Sequence, residues 1–393
     1  MILTFGLNPP IFLFRKHVII ITPCYNEHME NHDIFPGRGA KFLLALALVL
    51  GITSLGMNLL SHALEVQPEK QETEEESSFW IEPETTNVIN VLASGVFPAS
   101  PRQEFDGVFQ GLGTLINTYD VSTVSVHGTV GSEVSLNAAD TLISSGFGFF
   151  GLAYPGAHSA GKQAIEQAMN YWNNQSVRTS GTNTSTDAQN LLRMAEVNGI
   201  SVIYLSYTDV LTEDLPENEQ YLVNVYNDEK TPQFVAQAAD LADLVIVSIV
   251  WEGEQGAFPS DRQKQIAQAL AQADASIIIG YSEHAVQPVA WIDDTLVFYS
   301  LGDLYSEEEE VTDRIGALGA VTVTETVSAE RSRVELTNPK VDLIVSLKEE
   351  NAENHVVFLK QAGDAIPSWQ ELYQGYSETL HRMDDSIRIG GLN

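Results

Sequence analysis

Cysteine is almost missing from this chain: among 393 residues there is only Cys24. An intrachain disulfide is therefore excluded, and so is a zinc site built from several thiolates. Basic residues are scarce as well, 20 Lys plus Arg against 53 Asp plus Glu, for a formal charge of −33. Such a surface repels the phosphates of DNA and RNA, which argues against a nucleic-acid partner. It equally repels a free polyanionic polymer unless cations screen it, and it also suits simple solubility or a salty or alkaline medium. Two catalytic signatures are absent from the sequence. No G-x-S-x-G elbow is present, and no G-x-x-x-x-G-K-[ST] loop cradles a nucleotide phosphate, so ATP use has no support.

Charge is missing altogether from one stretch. Phe42 to Leu60, FLLALALVLGITSLGMNLL, is apolar and uncharged over 19 residues, the length of a bilayer-spanning helix. Arg38 and Lys41 precede it and the acidic EVQPEKQETEEESS follows. The positive-inside rule then puts the N-terminus in the cytoplasm and the long C-terminal part outside the cell. A cleaved signal peptide is the competing reading, since Ser61 and Ala63 place small residues where a signal peptidase cuts. The apolar run is long for a signal core, which favours a retained single-pass anchor in the cell membrane. A cysteine-free exterior part fits a Gram-positive-type surface. The expected organisation is a cytoplasmic leader 1–41, whose true start is expected at Met29, an anchor 42–60, an acidic linker 61–86, an α/β domain 87–327 and a C-terminal extension 328–393.

From Val88 onward short apolar runs alternate with helical stretches. Strands are expected at Val88–Ala93, Val121–Val126, Phe147–Ala153, Ser201–Ser206, Leu244–Val250, Ser276–Gly280 and Leu296–Ser300. Helices are expected near 160–173, 186–198, 231–241 and 260–273. The last opens on Ser260-Asp261-Arg262-Gln263, a capping box, with Ile266 and Leu270 on one face. That alternation predicts a layered α/β domain. After Gly316 the pattern turns to successive strands, Ala320–Val327, Arg331–Leu336 and Val341–Leu347, closed by a helix within Pro367–Met383. No repeat of 20 to 50 residues is evident.

The block from Ala242 to Leu304 carries a specific resemblance. Trp251, Glu254, Pro259, Asp261, Gln263, Gly280, His284, Pro288, Tyr299, Ser300, Leu301 and Gly302 match, in order and spacing, the central block of the CapA family of bacterial poly-gamma-glutamate capsule proteins. Weaker similarity runs through Phe147–Gly161 and Ile203–Asp209. The resemblance implies a calcineurin-like, metallophosphatase-type α/β sandwich, here with an N-terminal transmembrane helix and a β-rich C-terminal extension. In that class His, Asp and Asn at strand ends gather one or two divalent metals, which polarise a phosphoryl or carbonyl group and acidify a bound water.

The departures fall on those donor positions. Ala93-Ser94 stands where the family has Gly-Asp, Ser125-Val126-His127 where it has Asn-x-Glu, and Tyr154-Pro155-Gly156 where it has Asn-Asn-His. Ser159 replaces an Asp, Val250 the His before Trp251, and Tyr281-Ser282 two adjacent His. Only His284 survives in register. A residual or rebuilt site would draw on His284, Glu254, Glu252, Glu283, His127 and His158, although each also reads as an ordinary strand-end or surface residue. No cofactor is expected, a divalent metal being the one candidate. Asp303, where the family has Asn, reads as a turn residue, Asp209 as a cap, and Glu307–Glu310 as a solvated charge run. The function this implies is non-catalytic support of capsule or envelope polymer biosynthesis, with the polymer-synthesis proteins as partners. A metal-dependent hydrolase or transferase with a rearranged site and a general surface scaffold are the rivals. Protease added to intact cells stripped of outer wall should release a fragment beginning within residues 65–86. Protection of the C-terminal part would overturn this topology.

Overall fold

The computed structural model describes residues 12–14, 17–19, 84–100, 102–251, 256–281, 284–328, 332–348 and 354–392. Met29, the expected anchor 42–60 and linker residues 61–83 lie outside them. Among the described residues no helix is long and apolar enough to cross a membrane. The chain divides into two units, Met1–Ile81 and Glu82–Asn393. In the first, β1 (Phe12–Phe14) and β2 (His17–Ile19) pair antiparallel.

In the second unit the strands are β3 (Thr85–Pro98), β4 (Val121–His127), β5 (Phe149–Gly151), β6 (Arg178–Ser180), β7 (Met194–Val197), β8 (Ile200–Thr208), β9 (Leu244–Val250) and β10 (Ile277–Tyr281). They continue with β11 (Val289–Ile292), β12 (Thr295–Phe298), β13 (Ile315–Val327), β14 (Ser332–Leu347), β15 (His355–Phe358) and β16 (Arg388–Ile389). The helices are α1 (Gln110–Ile116), α2 (Leu136–Ser144), α3 (Lys162–Asn173), α4 (Thr186–Gln189), α5 (Lys230–Leu241), α6 (Asp261–Ala271) and α7 (Trp369–Leu380).

These strands form two sheets. One runs β15-β14-β13-β3-β4-β5-β6, with β16 beside β14; the other runs β11-β12-β10-β9-β8-β7. Within the first, β3, β4, β5 and β6 are parallel; within the second, β8, β9, β10 and β12 are parallel. The parallel strands read as continuous apolar runs because both of their faces are covered. In β9, Leu244 and Ile246 join the core between the sheets, whereas Val245, Val247 and Ile249 join a second cluster with Val235 of α5 and Ile266 and Leu270 of α6. On the other sheet Phe150 meets Trp172 of α3 at 4.7 Å between ring centroids, while its neighbour Phe149 points inward to Tyr204. Helices thus cover the outer face of each sheet, and the two inner faces meet. The capping box is present: Gln263 N–H donates to Ser260 Oγ at 3.2 Å and Ser260 N–H to Gln263 Oε1 at 2.6 Å.

Several expectations are corrected. The helix near 186–198 is only the short α4 followed by edge strand β7. Asn198 and Gly199, at φ 46 and 87, make a tight two-residue hairpin turn into β8, the Asn-Gly signal of a type I′ turn. The first strand of the main unit does not end at Ala93; β3 runs on to Pro98 through an irregularity between Ala93 and Val96. The two strands Arg331–Leu336 and Val341–Leu347 are one strand, β14, whose register shifts opposite Ala320/Thr322 where Asn338 takes a φ of 53 beside Pro339. The boundary drawn at 327/328 falls in the β13–β14 connection, inside the unit Glu82–Asn393.

Close approach needs glycine at two points of this frame. A Cβ on Gly280 of β10 would lie 1.9 Å from Trp251 Cζ2 and 2.3 Å from the Tyr299 carbonyl oxygen. One on Gly151 would meet the hydroxyls of Tyr204, Ser248 and Ser206 at 2.8–3.0 Å. Gly280→Ala should therefore cost at least about 1–3 kcal/mol through overpacking, read as a lower denaturant midpoint at unchanged m-value; wild-type stability in this variant would contradict the packing described.

Candidate functional site

The parallel strands of both sheets deliver their C-terminal ends to one edge. Along the inner faces the residue types change toward that edge. Ile246, Ile277 and Ile279 give way to Thr123, Ser125, Ser206 and Ser248, all buried. Tyr204 Oη donates to Ser248 Oγ at 3.0 Å, and the Ala153 N–H reaches Ser206 Oγ, across the sheets, at 3.4 Å. At the rim stand His127 from the end of β4, Tyr154 just beyond β5 and Tyr281 from the end of β10. His127 stacks on Tyr154 (5.7 Å between centroids, 15° between planes) and meets Tyr281 edge-on (6.2 Å, 74°). Its Nε2 pairs with Ser125 Oγ at 3.1 Å. Tyr154 Oη donates to Glu133 Oε2 at 2.5 Å, and the same oxygen accepts from the Thr129 N–H at 3.0 Å.

Electrostatics keep these groups neutral. Burial, reinforced by repulsion from His284, pushes the His127 pKa down to about 3; residual solvent contact at this residue tempers that fall. Burial raises the Tyr281 hydroxyl well above its ordinary value, and burial together with the Glu133 hydrogen bond does the same for Tyr154.

His284 sits beside this cluster on a left-handed backbone, φ 60, a conformation that costs a non-glycine residue roughly 1–2 kcal/mol. Its Nδ1 lies 2.7 and 2.8 Å from the two carboxylate oxygens of Asp303. The Asp303 side chain is only 4% exposed while that of His284 is 52% exposed. Burial raises the Asp303 pKa, and the hydrogen bond and charge of His284 oppose that rise. Asp303 is fixed by its backbone, which threads between β3 and β13. Val96 N–H donates to Gly302 O at 2.9 Å and Leu304 N–H to Val96 O at 2.7 Å. A Cβ on Gly316 would strike Asp303 O at 1.9 Å. The pair opens onto a cavity of about 830 Å³ lined by Ser100, Tyr305, Glu307 and Tyr376 among others. Glu307 is not merely solvated: it accepts from Ser100 Oγ at 2.9 Å and Tyr305 Oη at 2.8 Å. Burial, with the Glu307 hydrogen bond, raises the Tyr305 hydroxyl to about 12.

The remaining candidates separate. His158 has both ring nitrogens buried and makes no hydrogen bond among the described residues, so it does not join His127 or His284 through one. Glu252, Glu254 and Glu283 lie outside the described residues. Asp209 does more than cap a turn, since it accepts from Arg262 Nη2 at 2.7 Å and Nε at 3.1 Å. Asp303 is the site residue sequence reading passed over; its signal was a carboxylate where the family resemblance calls for an amide. Glu133 gave no signal at all, because a local turn brings it to Tyr154.

Among the described residues, those at the family's donor positions do not fit a divalent metal. Val250, Pro155 and Gly156 have no ligating side-chain atom, and Ser94 Oγ is buried and donates to the Thr123 carbonyl at 2.9 Å. The Tyr281 hydroxyl is neutral, and no group of three His, Cys, Asp or Glu gathers among the described residues.

A two-sheet α/β protein with helices on both outer faces and a polar edge at its parallel strand ends is the class these features define. The chain belongs to the family described as bacterial capsule synthesis protein PGA_cap, whose family model matches residues 87–308, more than half of its length. It is 29% identical over 160 residues to the PGA biosynthesis protein CapA of Bacillus subtilis (strain 168), covering 40% of this chain and 42% of that one. It is 30% identical over 132 residues to the capsule biosynthesis protein CapA of Bacillus anthracis, covering 31% of each. The matched stretch thus spans less than half of either relative. Among solved structures it is similar to a novel phosphatase of Mycoplasma pneumoniae (TM-score 0.38, 13% identity, 64% of this chain and 94% of that one). A 5′-nucleotidase from Candida albicans SC5314 gives a TM-score of 0.36 at 12% identity, over 64% of this chain and 52% of that one.

The lowered His127 pKa has a pH signature. A histidine depressed on folding contributes stability that is fully present above its unfolded value of 6.5 and is lost as pH falls from 6.5 toward 3. Between pH 6.5 and 5 that loss reaches up to about 2 kcal/mol. His127→Phe should flatten the fall in denaturant midpoint over that interval; an equally steep fall in the variant would contradict the neutral, enclosed imidazole.

Proposed function

We propose that this chain is a cell-membrane protein with a calcineurin-like sandwich, tethered by residues 42–60 with its main unit outside the cell. It supports biosynthesis of a capsule of the poly-gamma-glutamate type, or of a related envelope polymer, by binding its partners rather than by metal-dependent hydrolysis. Family membership and the names of the Bacillus relatives support the polymer role. The observation that carries the non-catalytic reading is the occupation of the sheet edge by neutral, packed groups: His127 between Tyr154 and Tyr281, with Val250 and Pro155 at neighbouring strand ends. A divalent ion there would need several convergent anionic or imidazole donors.

A second reading keeps some chemistry. His284 and Asp303 are paired beside a cavity, the arrangement of a base held by a carboxylate, and this favours a hydrolase or transferase with a rearranged site. The two readings separate in a deletion strain complemented with the full chain. Under the non-catalytic reading, deletion lowers surface polymer, His284→Ala restores it as well as wild type does, and protein purified without chelator carries substoichiometric Mn, Zn or Fe. Stoichiometric metal in wild type, lost together with polymer production in His284→Ala, would transfer the function to a rebuilt centre.

A further inference from the structure

The three rings at the sheet edge come from both sheets, and they stand at positions where the family resemblance calls for metal donors. His127 ends β4, Tyr154 follows β5, and Tyr281 ends β10 of the facing sheet. We infer that His127, Tyr154 and Tyr281 form an inter-sheet clasp, which ties together the strand ends that convergent donors would otherwise tie through a metal ion. The chain's fold is thereby independent of metal. This inference rests on the family reading but not on the role in polymer synthesis, and it concerns stability rather than activity.

Several observations point the same way. A metal at a strand-end site cross-links the elements that carry its ligands, so its loss leaves a polar hole and frees those ends. Here the hole is filled. Tyr281 is 1% exposed and Tyr154 8% exposed, and the His127 ring touches both. On the first sheet's side the polar atoms have partners, Ser125 Oγ for His127 and Glu133 and Thr129 for Tyr154, whereas the buried Tyr281 Oη makes no hydrogen bond among the described residues and contributes through its ring. Behind the rings, the Gly151 backbone lies against the hydroxyls of Tyr204, Ser206 and Ser248, so the sheets are already too close to admit a bulkier filling. The ring of Tyr281 reaches across that gap to the His127 ring. Aromatic pairs in edge and stacked geometry attract beyond their buried area.

The test is a double-mutant cycle on the full chain, with thermal unfolding as the readout. His127→Leu and Tyr281→Leu should each lower Tm by several degrees, and the double variant by clearly less than their sum, because either change alone already opens the clasp. Dialysis against EDTA, or addition of Mn or Zn, should leave the wild-type Tm unchanged. Tyr281→Phe guards against a trivial failure to fold: it keeps the ring and should lose little. A reciprocal variant, Tyr281→His with Tyr154→Asn and Val250→His, puts donors back at three family positions; it should be less stable in EDTA and gain Tm when metal is added. Additive losses in the cycle, or a wild-type Tm that falls with EDTA, would overturn the clasp. So would a reciprocal variant that is as stable as wild type in EDTA.

Discussion

Gly151 lets the two sheets approach closely near their strand ends, and the spacing it permits governs what the neighbouring inner positions can hold. With no side chain there, the hydroxyls of Tyr204, Ser206 and Ser248 rise into the gap from the facing sheet. Hydroxyls in a dry interface must find partners, because an unpaired buried polar group costs about as much as the hydrogen bond it forgoes. They find one another and the backbone of Ala153. The interior is thus graded, aliphatic in the middle of the sandwich and hydroxylic toward the strand ends, with rings sealing the rim. An edge finished in this way has little room for the charged, water-bearing surroundings of a hydrolytic centre. The same gradient explains why imidazole at position 127 stays neutral, since no carboxylate faces it among its described contacts and His284 repels its charge.

Asp303 shows the opposite treatment of a polar group. Its carboxylate is as buried as the rim tyrosines, but it is paired with an imidazole that opens to a cavity. Keeping a carboxylate there demands a rigid backbone, and the chain supplies one by threading residues 301–304 between β3 and β13, where Gly95 and Gly316 leave a slot with no room for a Cβ. Asp303, Glu307, Glu308 and Asp313 line the cavity, and among the described residues no Lys or Arg lines it. A free polyanion would meet like charge there as well as on the surface at large, a chain of net charge −33. An anionic polymer could approach this cavity only with cations screening the charge.

Much of the frame was legible because parallel, doubly covered strands leave an unmistakable trace. LVIVSIV at 244–250 and SIII at 276–279 can be little other than buried strands, and the Ser260–Gln263 box marks the start of α6 to the residue. What sequence reading lost depends on pairing. MAEV at 194–197 is half exposed and forms a strand only as the antiparallel edge partner of β8, with Asn198-Gly199 supplying the turn. Asn338-Pro339 reads as a break, yet β14 continues through it because the strand can shift register there and Pro lacks only a donor. The site shows the same division. That donors were missing could be read residue by residue, but what replaced them could not. His127 meets Tyr281 across 154 positions of sequence, and Asp303 reaches His284 only through a backbone route set by Gly95 and Gly316.

That division bears on how the fold can tolerate neutral residues at its strand ends. The aliphatic cores on both faces of each sheet carry most of the burial, so the strand ends contribute a small share of the total and can change composition without unfolding the rest. They cannot, however, be left empty or charged. Each lost donor leaves a site that must be refilled by something neutral with its hydrogen bonds met. Val250 meets the condition by having no polar atom and Ser94 by bonding the Thr123 carbonyl. His127 meets it through Ser125 and two rings. Refilling is not complete in this sense: Tyr281 Oη is buried without a hydrogen bond among the described residues, so that position is held by the packing of its ring rather than by its polar atom.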